Sequence, residues 1–276
     1  MQKINRIYQY NPTDINNSSV NLRTSAIHMW PAKKHYVFDG WILRFLNPYT
    51  YRCNCIYPLK KGYMKTTTKI QKCASIYQQK GAKFLFQIMP NDSKLDILLQ
   101  ALGYKKSIQT RWMALKLDHQ TINRRIHKNN ILVSKDWLKN RHEIAGYSQI
   151  EASIYESFYR AINVQTYPMV LFIDQHPVSC GLGIQVSQYL GIFDIRTKME
   201  FQRQGYASIL VQSICKHASQ NGARHAQLHV AMDNHAAIYL YEKIGFQTIC
   251  DYWFREKTNV TKRSHFSYPT FNQHET

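Results

Sequence analysis

The chain runs through Ile192-Phe193-Asp194-Ile195-Arg196-Thr197-Lys198-Met199-Glu200-Phe201 and straight on into Gln202-Arg203-Gln204-Gly205-Tyr206-Ala207. Its first part reads as a strand. Its last part carries a glycine where a helical pattern begins. That helix should extend from about Gly205 to Gln220, with Ile209, Leu210, Ile214 and Ala218 on one face and Gln220-Asn221-Gly222 ending it. At such a junction the first backbone N–H groups have no partner in the helix, and the helix dipole places positive potential behind them. A pyrophosphate suits that position. Gly205 permits close approach of a ligand, small Ala207 leaves the helix start open, and Arg203 adds a charged donor. The segment is neither a P-loop, having no Gly-Lys-Ser/Thr, nor a G-x-G-x-x-G fingerprint.

The neighbouring segments continue an α/β alternation. Downstream come a strand at Ala226–Ala231, a helix at Asn234–Ile244 closed by Gly245, and a strand at Phe246–Glu256. Upstream lie helices at Lys135–Asn140 and Gln149–Ile162 and strands at Tyr167–Ile173, Val178–Val186 and Tyr189–Thr197, with a tight turn at Gln175-His176-Pro177. Before Asp118 a similar alternation appears. Gly40–Leu46 and Tyr51–Tyr57 form strands around Asn47-Pro48, Thr66–Lys80 a helix, and Phe84–Met89 a strand. Pro90-Asn91-Asp92 then opens a helix through Leu102, and Ile108–Leu117 is a further strand. The reading therefore divides the chain into a polar segment at 1–29, α/β units at 30–117 and 118–257, and a mobile tail at 258–276.

Beyond the glycine turn stands Asn234-His235-Ala236-Ala237-Ile238-Tyr239-Leu240-Tyr241-Glu242-Lys243-Ile244-Gly245-Phe246. Q-x-x-G-x-A after a strand, then a strand, then N-x-x-A-x-x-L-Y-x-x-x-G-F resembles the GNAT acetyltransferase superfamily over roughly residues 131–257. Asp39-Gly40-Trp41-Ile42-Leu43-Arg44-Phe45, Tyr51-Arg52-Cys53-Asn54 and Leu102-Gly103-Tyr104 resemble the degenerate GNAT-like half that precedes the catalytic domain in some members. That half lacks a Q-x-x-G-x-A turn of its own. The resemblance implies a mixed, mostly antiparallel sheet flanked by helices, with a smaller related α/β unit at the N-terminus. It also implies acetyl-CoA as co-substrate, bound where two parallel strands splay apart. The strand carrying Ile195, Arg196 and Thr197 would face the pantetheine arm. The pyrophosphate would sit on the N–H groups of Arg203, Gln204, Gly205, Tyr206, Ala207 and Ser208. Asn234 would order the cleft, and Tyr241 would stand beside the thioester sulfur.

The chemistry suggests roles. Acetyl transfer to an amine needs a neutral nucleophile, a stabilised oxyanion and a protonated leaving thiolate, and an ammonium of pKa ~10.4 must first lose a proton. Tyr241 is a general acid by this reading, and a backbone N–H near Ile195 serves the oxyanion. For the base the sequence offers His229, five residues before Asn234, and Asp194, at the end of the preceding strand, with a water chain as a third route. Tyr241 also fits as a core aromatic, and Asn234 as a helix N-cap. Tyr155, Phe158 and Tyr159, with Trp41 and Trp112, are candidates for lining the acceptor wall, or for the core.

The 276 residues carry 36 Lys+Arg against 17 Asp+Glu, a formal charge of +19. Residues 1–117 hold 19 basic and 4 acidic residues, so the excess lies in the N-terminal part. A solvated basic surface explains this, and so does an acidic partner, either an acceptor on an acidic macromolecule or nucleic acid. No zinc-finger or RNA-recognition signature accompanies the charge. A non-catalytic module that senses CoA, or binds nucleic acid or an acidic protein, is therefore the alternative to an N-acetyltransferase. The longest apolar runs, such as Met169–Ile173, are far short of a membrane span. The start MQKINRIYQYNPTD has no apolar core of signal-peptide length. Six scattered cysteines suggest reduced thiols, which predicts a cytoplasmic protein, and the histidines and cysteines show no metal-ligand spacing.

Overall fold

Asp39 and Gly40 both have positive φ (46° and 83°), the geometry of a two-residue hairpin whose twist matches that of its strands. They join β2 (Lys34–Phe38) to β3 (Trp41–Phe45) in antiparallel register, with Phe38 opposite Trp41. In this computed structural model the described residues are 8–9, 21–30, 32, 34–46, 53–118, 130–133 and 136–257. The expected tail at 258–276, the Asn47-Pro48 turn, residues 51–52 and most of the segment 1–29 lie outside them.

The chain divides into two compact units. In the first, β1 (Tyr8–Gln9), β2, β3 and β4 (Cys55–Pro58) form an antiparallel sheet. Helix α2 (Thr66–Gln79) crosses to β5 (Leu85–Ile88), which runs parallel to β4. Helix α3 (Ser93–Ala101) and residues 105–110 of β6 (Lys105–Lys116) follow. Residues 253–256 of β12 (Gln247–Glu256) pair antiparallel to β5. Trp41, Leu43, Ile56, Tyr77, Phe86 and Leu99 are the buried centre of this unit. Trp41 also carries the ammonium of Lys69 4.5 Å from its ring centroid, while that ammonium pairs with Asp39 at 2.7 Å.

The second unit contains the glycine turn. Its strands β7 (Asn130–Val133), β8 (Gln165–Ile173), β9 (His176–Val186) and β10 (Tyr189–Thr197) are antiparallel neighbours. β11 (His225–Ala231) is parallel to β10, and β6 lies on the other side of β11. Helices α4 (Trp137–Ala145) and α5 (Gln149–Arg160) precede β8, α6 (Tyr206–Gln220) links β10 to β11, and α7 (His235–Ile244) follows β11. The β8–β9 turn is Asp174-Gln175, both at positive φ, so His176 and Pro177 already belong to the strand. The reversal thus falls one residue earlier than expected, because the positive-φ pair rather than the proline makes it. Leu210, Val211, Ile214 and Ala218 of α6 are buried against the sheet. A Cβ on Gly181 would lie 2.4 Å from Ile195 Cδ1, and one on Gly183 2.6 Å from Ile214 Cγ2, so glycines let α6 approach β9.

The units do not follow the expected contiguous boundary after residue 117. Residues 111–117 and α1 (Leu22–Met29) belong to the second unit, and 250–257 to the first. Asn21 caps α1 reciprocally: its Oδ1 accepts from the Thr24 amide at 3.0 Å, and its own amide donates to Thr24 Oγ1 at 3.0 Å. Both units nevertheless share one order: antiparallel strands, a crossover helix, a parallel strand and a second helix.

Candidate active site

β10 and β11 pair over only three residues, Tyr189–Gly191 against His225–Gln227. β10 continues against β9 as far as Thr197, so beyond Gly191 the two parallel strands part while β10 stays in the sheet. The β9–β10 register shifts between Phe193 and Arg196, and inside that interval Asp194 has φ 53°. This is a β-bulge, which bends its strand and opens the ladder locally. The Asp194 side chain is only 4% exposed although the residue as a whole is half-buried, so its main chain is the exposed part. Ile195 falls in the same register gap, and its side chain lies in the core.

Asp194 is anchored on three sides. Arg141 donates to it through Nε, and also through Nη2 at 3.1 Å. The Tyr159 hydroxyl donates to its Oδ2, and Arg196 Nε to its Oδ1 at 3.0 Å. Burial pushes the carboxyl pKa up, but Arg141 and Arg196 outweigh it and hold the group well below the usual carboxylate range. The expectation of Asp194 as an alternative base is therefore corrected. A carboxylate engaged by two guanidinium groups and a phenol lacks the proton affinity to take a substrate proton. Its position ties the bulge to α4 and α5. Tyr159 and Tyr155, two of the expected wall aromatics, are buried around Arg141, whose guanidinium carbon lies 4.5 Å from the Tyr155 ring centroid. Phe158 is buried edge-on to Tyr159, and Trp41 belongs to the core of the other unit.

After Thr197, Lys198 donates its amide to Val178 at 2.9 Å, and a 3-10 turn at Met199–Phe201 leads to the glycine. Arg203 and Gly205 have φ 60° and 87°, and Arg203, Gln204 and Gly205 are exposed. The Ile209 N–H donates to the Gly205 carbonyl at 3.1 Å, so the amides of Tyr206, Ala207 and Ser208 precede that helical bond. No side chain caps α6 and no acidic residue sits in its first turn. Gln204 Nε2 donates to the Glu200 carbonyl at 3.1 Å and Gln202 Nε2 to the Thr197 carbonyl at 3.3 Å, bonds that brace the loop from within. Thr197 Oγ1 lies 2.9 Å from Ser179 Oγ.

β11 presents Leu228 and Val230 to the core that contains Tyr241. Alternation therefore puts Gln227 and His229 on its opposite face. There Trp112 Nε1 donates to Gln227 Oε1 at 3.0 Å, and Gln227 Nε2 donates to Ser25 Oγ at 2.8 Å. The His229 ring stacks on Trp112 at 5.6 Å with 20° between planes. Asn234 caps α7, its Oδ1 accepting from the Ala237 amide at 3.0 Å. Tyr241 is buried edge-on to Phe246, with ring centroids 5.8 Å apart, and burial pushes its phenol well above the usual value. Its hydroxyl makes no hydrogen bond among the described residues. A phenol so placed remains protonated and can donate. His229 and Tyr241 thus lie on opposite faces of the sheet, with His229 beyond the last β11 residue paired to β10.

The sequence reading missed Arg141 altogether. Arg196 and Tyr159 were noticed without their role as partners of Asp194. The available signal was the acid itself: a lone Asp in the apolar run Ile192-Phe193-Asp194-Ile195 needs a buried cationic partner.

The parallel pair forks at a bulge beside an uncapped helix start. Comparison with known proteins gives the class. Residues 134–246 match the family model described as Acetyltransferase (GNAT) family. The Uncharacterized N-acetyltransferase YobR of Bacillus subtilis (strain 168) is 23% identical over 243 residues, covering 84% of this chain and 96% of that protein. A functionally unknown conserved protein from Staphylococcus epidermidis ATCC 12228 has a similar structure, with TM-score 0.64 at 14% identity over 88% of this chain and all (100%) of the other. A GCN5-related N-acetyltransferase from Kribbella flavida also has TM-score 0.64, at 11% identity over 82% of this chain and 90% of the other. The chain is an acyltransferase whose residues 134–246 form a GNAT acetyltransferase domain. Its mixed, largely antiparallel sheet flanked by helices is the fold of those neighbours.

Proposed function

We propose that this protein transfers the acetyl group of acetyl-CoA to an amine acceptor by direct attack within a ternary complex. The observation that carries this reading is the fork of β10 and β11, with the uncapped start of α6 after one strand and Tyr241 in the core behind the other. The residues fit the co-substrate. Amides of Tyr206, Ala207 and Ser208 offer donors to a diphosphate, and the exposed main chain at Asp194 offers an edge for the amides of a pantetheine arm. Arg203 and Gln204 border the same turn. In this reading Asn234 acts through its cap, by fixing the start of α7.

The thioester supplies an activated acyl carbon. An acceptor N–H proton passes to His229, directly or through water. The amine nitrogen bonds to the acyl carbon, and a backbone N–H at the bulge steadies the oxyanion. The C–S bond then breaks and the Tyr241 hydroxyl gives its proton to the departing sulfur. Asp194 takes no proton; it fixes the bulge. A cytoplasmic setting accords with six cysteines that form no disulfide. Among the described residues no helix is long and apolar enough to cross a membrane.

Calorimetric titration with acetyl-CoA, followed by a thiol-release screen over amino acids, polyamines, aminoglycosides and peptides, tests the reading. Saturable binding with acceptor-dependent thiol release is expected. Absence of both, alongside salt-dependent nucleic-acid binding, would overturn it in favour of a binding module.

A further inference from the structure

Three polar groups of α4 are buried and lack a hydrogen-bond partner among the described residues: Trp137 Nε1, Arg141 Nη1 and His142 Nε2. Buried polar atoms are nearly always paired, so three orphans on one helix call for a cause. Trp137 and Arg141 lie one helical turn apart on the same face. The Trp137 ring stands edge-on to Tyr159 at 5.0 Å, the phenol that donates to Asp194. The Arg141 side chain is wholly buried, and the Arg196 side chain is 12% exposed.

The charges do not balance. Arg141 and Arg196 bring two guanidinium groups, and among the described residues Asp194 alone opposes them. Tyr147, stacked on Tyr155 at 4.9 Å, lies against both: its ring centroid is 4.8 Å from Arg141 and 5.5 Å from Arg196. Burial raises the Tyr155 and Tyr159 phenols, so these stay neutral. Burial and Arg141 lower the His142 pKa, so that ring is neutral too. The acids nearby serve other cations: Glu143 pairs with Lys198 at 2.8 Å and Glu156 with Arg160. Among the described residues one positive charge is left at a largely buried place, and burying an unopposed charge is costly.

We propose that this cluster is a subsite for a carboxylate carried by the acceptor, received by the outer nitrogens of Arg196 against the Tyr147 ring, with the buried Arg141 guanidinium adding its charge from behind. The acceptor is then an amino acid or another amine-bearing acid. Guanidinium forks match a planar carboxylate, and stacking on tyrosines holds them oriented before the ligand arrives. A single carboxylate restores neutrality, whereas a phosphate of about −1.5 to −2 overshoots it. Asp194 joins the two places: its carboxylate orders the guanidinium groups while its main chain edges the fork. This inference rests on the acetyl-transfer reading for the identity of the amine, but not for the binding of the acid.

The test separates the two. The full-length protein is titrated by calorimetry with a panel of N-acetyl amino acids, their carboxamides and their phosphonate analogues, in the presence of CoA. At least one acid should bind ten-fold or more tighter than its carboxamide, and Arg196→Gln should abolish that difference. Arg196→Lys, which keeps the charge without the fork, should restore part of it. Equal binding of acid and carboxamide, no binding of either, or tighter binding of the phosphonate overturns the carboxylate subsite. Selective binding of an acid whose parent amine is never acetylated leaves the subsite standing and overturns the acetyl-transfer reading instead.

Discussion

Arg141 of α4 and Asp194 of the β10 bulge form an ion pair inside the second unit, with side chains 0% and 4% exposed. The loss of either is unequal: without Arg141 the carboxylate keeps Arg196 and the Tyr159 hydroxyl, whereas without Asp194 the two guanidinium groups face each other in a low-dielectric interior. The pair also decides a backbone shape. Asp194 holds φ 53°, which costs a non-glycine residue about 1–2 kcal/mol, and its carboxylate bonds keep it there.

Arg141→Ala, which removes two hydrogen bonds to the carboxylate but leaves it paired with Arg196, should destabilise the second unit by about 1.5–3 kcal/mol, read as a lower denaturation midpoint. Asp194→Asn should show the pH dependence. The folded pKa of Asp194 is lowered, so its charge stabilises the fold above the unfolded pKa of ~3.9, and that stability is lost as pH falls through the folded value. The stability gap between wild type and Asp194→Asn is expected to stay flat from pH 8 to 5 and to shrink below about pH 4. A gap that instead changed around neutrality would point to a histidine rather than to this carboxylate.

Tyr241→Phe separates chemistry from packing. The hydroxyl has no partner among the described residues, so its removal should leave the melting temperature within about 1–2 °C of wild type. Thiol release should fall by about 10²–10⁴ while acetyl-CoA affinity holds, as expected for a lost general acid. Burial raises this phenol, so wild-type turnover should show no loss from Tyr241 ionisation until above about pH 10. A variant that turned over normally with a chemistry-limited substrate would remove Tyr241 from the mechanism.

These sites were unevenly legible in the sequence. Tyr189–Thr197 is the observed strand residue for residue, and Thr66–Lys80 and Gly205–Gln220 overshoot their helices by one residue each, because local periodicity and glycine punctuation carry that information. α1 went unread because the eight residues Leu22–Met29 are too short for a helical period to show, and the helix is stabilised by a reciprocal Asn21–Thr24 cap. The interleaving of the units was also invisible: nothing local in Trp253 or Arg255 says that these residues complete a sheet with Leu85–Ile88, more than 160 positions earlier. The same holds for Arg141. Its partner is 53 residues away, and only the bulge brings them together.

Asn234→Ala tests whether this residue acts through the helix it caps. The lost bond to the Ala237 amide should cost about 1 kcal/mol of stability. Asn234→Ser or Asn234→Asp should recover most of it, and turnover should recover in step. Restored stability with turnover still depressed would assign Asn234 a direct contact with the co-substrate.

Gly205 sits at φ 87° with nothing within 4 Å of where a Cβ would go, so backbone strain and ligand approach can be told apart there. Gly205→Ala adds a methyl to open space, and its stability cost should be the left-handed backbone alone, about 1–2 kcal/mol. Gly205→Asn, which tolerates that backbone better, should cost less stability while placing a larger side chain over the amides of α6. If those amides receive a diphosphate, acetyl-CoA affinity should fall more for Asn than for Ala, the reverse of the stability order. Affinity that followed stability in both variants would mean that the turn matters only as a turn, and the diphosphate must then be sought elsewhere. Calorimetry on the two variants at one temperature, with melting curves of the same preparations, distinguishes these outcomes.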